Sequence, residues 1–123
     1  MSRIGWLPAL LLLVFCLAGA DVVQAESLTW NVRNDHPNAV SLEFYSDDGR
    51  TSWPGDGEVY VLDDGQDHAF PIQCDLGERI CYGAWVRGDE TQYWGVGKDG
   101  AQSCESCCYR CDGGETPLIV ITE

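Results

Sequence analysis

Basic residues are scarce in this chain. Seven Lys and Arg stand against 20 Asp and Glu, for a formal net charge of −13. A surface of that sign repels phosphate backbones and anionic lipid head groups, so neither nucleic acid nor a membrane surface is an expected partner. The charge suits a soluble monomer. No internal repeat, low-complexity run or long helical stripe is present, which argues against solenoids and helical bundles. A nucleophile elbow, an HExxH pair and a P-loop are all missing, and no catalytic residue or cofactor is expected. The longest apolar run, Leu7 to Leu17, is too short to span a bilayer comfortably.

That run reads as part of a secretory signal over residues 1–25. Arg3 supplies the positive start, and Ala18-Gly19-Ala20 and Val23-Gln24-Ala25 are two small-residue cleavage signals, the second preferred. Val14-Phe15 precede Cys16 where a lipidation site wants small residues, so Cys16 is expected to leave with the signal. The remaining 26–123 make one domain, expected to be secreted or periplasmic. A domain of that size buries only about two-thirds of its unfolded surface, so covalent staples help it.

Short alternating segments separated by Gly, Asp, Asn and Pro recur along 26–123, the pattern of an all-β domain. Leu28, Trp30 and Val32 alternate with polar neighbours, as do Val40, Leu42 and Phe44. Further strands are expected at 59–62, 68–75, 80–87, 91–96 and 118–122. Seven short antiparallel strands point to a disulfide-stapled β-sandwich, with a small barrel as the competitor. Residues 68–75 and 80–87 flank Leu76-Gly77-Glu78-Arg79. With Gly77-Glu78 as a two-residue turn they form a hairpin in which Cys74 faces Cys81.

Six cysteines lie in this domain: Cys74, Cys81, and the knot Cys104, Cys107, Cys108 and Cys111, written C-E-S-C-C-Y-R-C. An even number in an oxidising compartment predicts three disulfides. A local Cys74–Cys81 bridge is favoured. The rest then pair as Cys104–Cys108 with Cys107–Cys111, or as Cys104–Cys107 with Cys108–Cys111. The alternative straps the knot to the hairpin through one or both of Cys74 and Cys81. The same knot could present four thiolates to zinc or copper(I), but no histidine lies beside it. A redox CxxC lacks the helix that would lower a thiol pKa.

Asp47-Asp48-Gly49 and Asp63-Asp64-Gly65-Gln66-Asp67 resemble loose calcium loops, although turns between strands explain them without a cation. Carboxylates abound, and no spacing selects a hydrolytic pair. Trp30 and Trp85 suit a core. Trp53, Tyr93 and Trp94 are the candidate binding residues, because exposed Trp and Tyr form platforms for sugars and protein partners. A non-enzymatic binding module with a protein or glycan partner is the primary expectation. Metal binding through the knot or the acidic turns, or a small carboxylate-dependent hydrolase, is the alternative.

The stretches I-C-Y-G-A-W (80–85) and Y-W-G-V-G (93–97), with the CxxCCxxC knot, resemble small exported bacterial proteins. That resemblance brings no activity with it. W-N-V-R-N (30–34) with L-D-D-G-Q (62–66) resembles the β-sandwich opening of thaumatin-like proteins. The chain departs from that family in length and in lacking the cysteine after the opening Asn, and no functional residue carries over.

Overall fold

The computed structural model describes residues 23–123. The expected signal segment up to residue 22, with Arg3, Cys16 and the cleavage signal ending at Ala20, lies outside them. The described chain is all-β. Its strands are β1 (Ala25–Asn34), β2 (Val40–Ser46), β3 (Ser52–Trp53), β4 (Tyr60–Leu62), β5 (Asp67–Asp75), β6 (Arg79–Val86), β7 (Asp89–Gly95), β8 (Cys108–Arg110) and β9 (Glu115–Ile121). The short β3 and β8 are the two that strand patterning did not separate from their loops.

Two sheets share one core. The smaller has the order β5-β1-β9, with β5 antiparallel and β9 parallel to β1. Both of its edge strands carry a proline, Pro71 and Pro117, placed where a missing N–H costs least and where it discourages edge pairing. The larger sheet has β2 and β6 at its centre. β3 and β4 pair along one side of β2, and β7 and β8 along the far side of β6.

Alternation puts Leu28, Trp30 and Val32 of β1, and Val40, Leu42 and Phe44 of β2, into the core, each 2% exposed or less. Trp30 stacks on Phe44 with ring centroids 4.6 Å apart and meets Tyr109 edge-on at 5.5 Å. Both arrangements are favoured for aromatic pairs. Asn34 is buried at the end of β1 and is well satisfied. It donates to the carbonyls of Asn38 and Leu62 and accepts from the His36 N–H. It thereby shapes the β1–β2 loop and ties that loop to β4.

The expected 68–75/80–87 hairpin does not form. Both segments are strands, but β5 pairs with β1 and β6 pairs with β2, in different sheets. The reason lies in the turn. Glu78 donates to the Asp75 carbonyl at 2.9 Å, so the turn runs from Asp75 to Glu78 and Gly77 (φ 85°) stands third in it. Positive φ at that place belongs to a type II turn, which splays strands instead of pairing them.

The disulfides change accordingly. Cys74 and Cys81 do not bond to each other; the bridges are Cys74–Cys111, Cys81–Cys108 and Cys104–Cys107. Cys74 faces the core from β5, and its partner Cys111, 0% exposed, follows β8 of the larger sheet. This bridge joins the two sheets. Cys81–Cys108 links register partners on β6 and β8. Cys104–Cys107 closes a local turn.

The bridges should differ in weight. The Cys74–Cys111 loop spans 37 residues and the Cys104–Cys107 loop only 3. Restriction of the unfolded chain then gives about 4 kcal/mol for the first and about 2 kcal/mol for the second. Denaturant unfolding of the Cys74→Ala/Cys111→Ala and Cys104→Ala/Cys107→Ala double variants measures this, with the first pair losing more.

Candidate binding site

The three aromatics singled out from sequence do not converge. Trp53 lies on β3 and Tyr93 and Trp94 on β7, at opposite margins of the larger sheet with β2 and β6 between them. Three strand spacings of about 4.8 Å separate them. The Trp53 indole N–H donates to the Gln73 carbonyl at 2.9 Å, which ties β3 to β5. Trp53 also packs against the core. Its role in the structure is to close one flank.

Tyr93 and Trp94 do meet at one cleft. Alternation sends them to opposite faces of β7, Trp94 beside Ala84 toward the core and Tyr93 beside Trp85 away from it. The Trp94 indole N–H donates to the Thr122 carbonyl at 2.8 Å, and the His36 ring meets Trp94 edge-on at 5.2 Å. Tyr93 is 44% exposed. His36, Asn38, Gln92 and Thr122 line the same cleft, whose volume is about 550 Å³. An aromatic that is held in place and amide side chains around it are what a sugar or peptide backbone needs from a surface.

A second site lies on the outer face of the larger sheet, and sequence reading missed it. The register aligns Ser41 with Trp85 and Tyr93 in one row and Glu43 with Gly83 and Gly95 in the next. Trp85, taken from sequence as a core residue, is indeed buried at 6% exposure, but on this outer face. The glycines allow the loop after β7 to lie directly on the sheet. A Cβ at Gly83 would overlap the Gly97 carbonyl and crowd the Tyr45 ring. The loop makes a single 3-10 turn at Lys98–Gly100, in which Asp99 takes positive φ (59°). The Asp99 N–H donates to the Tyr45 hydroxyl oxygen at 2.9 Å. Gly95–Gly100 spells G-x-G-x-x-G, a spacing that in βαβ folds opens a long helix onto a phosphate. Here it follows an antiparallel strand and opens a single 3-10 turn, so it does not build that kind of phosphate site.

Between this loop and Gly57–Val59 runs a groove of about 510 Å³, with Ser41, Glu43, Tyr45 and Trp85 along it. Burial holds the Glu43 carboxyl above the ordinary glutamate range, and the nearby Asp99 charge adds to the effect. Burial likewise pushes the Tyr45 hydroxyl well above the usual phenol value, with the Glu43 charge contributing. Lys98, which also borders the groove, is paired with Glu90 at 2.9 Å.

The acidic turns are occupied by their own backbone. Asp48 accepts the Arg50 N–H at 2.8 Å and Asp64 accepts the Gln66 N–H at 2.9 Å, both Asx turns. Asp64 also pairs with His68 at 2.7 Å. Among the described residues, no group of three or more His, Cys, Asp and Glu side chains is arranged to hold a metal ion. The six cysteines of the domain are all in disulfides.

No known protein family matches the chain, and no match is found among curated proteins or solved structures.

Two outcomes follow from the groove's construction. Gly83→Ala should destabilise the fold by about 1–3 kcal/mol, because the added methyl displaces the Gly97 loop; thermal or denaturant unfolding measures it. A carboxyl whose folded pKa lies above its unfolded value costs stability once it ionises. Glu43→Gln should therefore raise the melting temperature at pH 7. The gain should vanish as pH falls below the ordinary glutamate range, where Glu43 is protonated in both states. Melting curves at neutral and acid pH compare the two.

Proposed function

We propose that this is an exported, non-enzymatic binding module that takes a protein or glycan partner at the β7 edge. The observation that carries the reading is Tyr93, 44% exposed beside a Trp94 whose indole is fixed to Thr122. A pre-positioned aromatic pair gives contact area at little cost in side-chain entropy. β7 also leaves one backbone edge unpaired, since β6 is its only strand partner among the described residues. An extended segment of a partner adds to such an edge. Export is supported by the signal-like residues 1–25, and three disulfides suit an oxidising compartment.

Tyr93→Ala separates binding from folding. Its side chain is 44% exposed and outside the core cluster, so the variant should stay folded and lose only about 1 kcal/mol of stability. Capture of a defined partner, from culture medium or on a glycan array, should weaken about ten-fold or more. Trp94→Ala should weaken it too, with some loss of stability, because Trp94 also packs on the core. Capture unchanged in both variants would remove the β7 edge from the site.

A further inference from the structure

The outer groove shares no lining residue with the β7 cleft and does not depend on the function proposed there. Its two carboxylates, Glu43 and Asp99, have no ion-pair partner among the described residues. Glu43 projects from the central strand β2, half-buried. The nearest candidate, Lys98, is taken by Glu90. Ser41 is 5% exposed, lines the groove, and its hydroxyl has no hydrogen-bond partner among the described residues. Tyr45 is committed on one side to the Asp99 N–H.

We propose that this groove binds the cationic end of an arginine or lysine side chain presented by a partner protein, with Glu43 and Asp99 as its counter-charges and Ser41 as an acceptor. Three considerations select that guest. First, two carboxylates with a neutral hydroxyl supply less charge than a calcium site gathers, while an ammonium or guanidinium needs one or two anions and several acceptors. Second, the net charge of −13 draws cations and repels anions before contact. Third, a carboxylate placed where desolvation and a like charge both oppose ionisation is stabilised by the attraction of an arriving cation, which offsets those penalties. Trp85 and Tyr45 in the lining offer apolar surface to the stem of such a side chain.

The test uses the oxidised chain and backbone amide shifts. Nα-acetyl-arginine amide is titrated in, with the neutral isostere Nα-acetyl-citrulline amide and calcium chloride as separate arms. Arginine amide should saturate shifts along β2 and at Lys98–Gly100, more weakly as salt rises, and citrulline amide should leave them in place. Glu43→Gln should lower affinity about ten-fold or more while melting no earlier than the parent. Asp99→Asn, in which Asn tolerates the left-handed backbone, and Ser41→Ala should each lower it by a smaller factor. Glu115→Gln, on the other sheet, should bind as the parent does. The proposal is overturned if citrulline amide binds equally well, if calcium moves these amides and arginine amide does not, or if Glu115→Gln weakens binding as much as Glu43→Gln.

Discussion

The bond between Cys74 and Cys111 is the constraint on which this architecture turns. β5 and β6 follow one another in sequence but belong to different sheets, so the tight turn at Gly77 closes no ladder between them. Two sheets joined only by turns would depend wholly on their shared core, in a domain small enough to bury only about two-thirds of its unfolded surface. Cys111 is 0% exposed and fastens the segment after β8 to the inner face of β5. The backbone reinforces it there, with Gly77 donating to the Cys111 carbonyl and Cys111 donating to the Glu78 carbonyl. Sulfur chemistry and hydrogen bonding close the same end of the molecule.

With that end closed, the rest of the core is an aromatic packing problem. Trp30 touches Phe44, Tyr82 and Tyr109, so one indole contacts β2, β6 and β8. Its indole N–H is enclosed without a hydrogen-bond partner among the described residues, a cost set against the stacking it makes. On the opposite flank Trp53 and the Tyr60–Phe70 pair join the sheets. The β7 side is less covered, and it is where the exposed aromatic of the proposed binding edge stands. The outer face of the larger sheet breaks the rule that polar residues there simply meet water. Its Ser41 and Trp85 are buried and its Glu43 is partly desolvated. Groups held at a cost to stability are where function is to be sought.

Much of this was legible from spacing alone. Period-two alternation placed Leu28, Trp30, Val32, Val40, Leu42 and Phe44 on inner faces, because the pleat leaves no other option. The turn clusters at Asp47–Gly49 and Asp63–Gly65 were readable as turns, because Asp side chains satisfy the N–H two residues on. The hairpin was misread because Leu76-Gly77-Glu78-Arg79 permits two turn frames one residue apart. Gly77 serves either, and only strand pairing elsewhere chooses between them. Cysteine pairing was misread for the same reason, since bridge geometry depends on which strands are neighbours. The G-x-G-x-x-G stretch could have drawn attention to Gly95–Gly100, but only the sheet beneath it shows what its glycines accommodate.

Local patterning by itself determined the all-β class, the inward residues of β1 and β2, and the use of cysteine as a staple. These follow from side-chain period, turn chemistry and composition, which act over a few residues. The tertiary structure alone decided which strands pair, which sulfurs meet, that Trp53 stands apart from Tyr93 and Trp94, and that Ser41, Glu43 and Asp99 border one groove. Those outcomes depend on contacts between residues tens of positions apart. A one-residue change of turn frame redirects a whole strand, and no short window of sequence contains that choice.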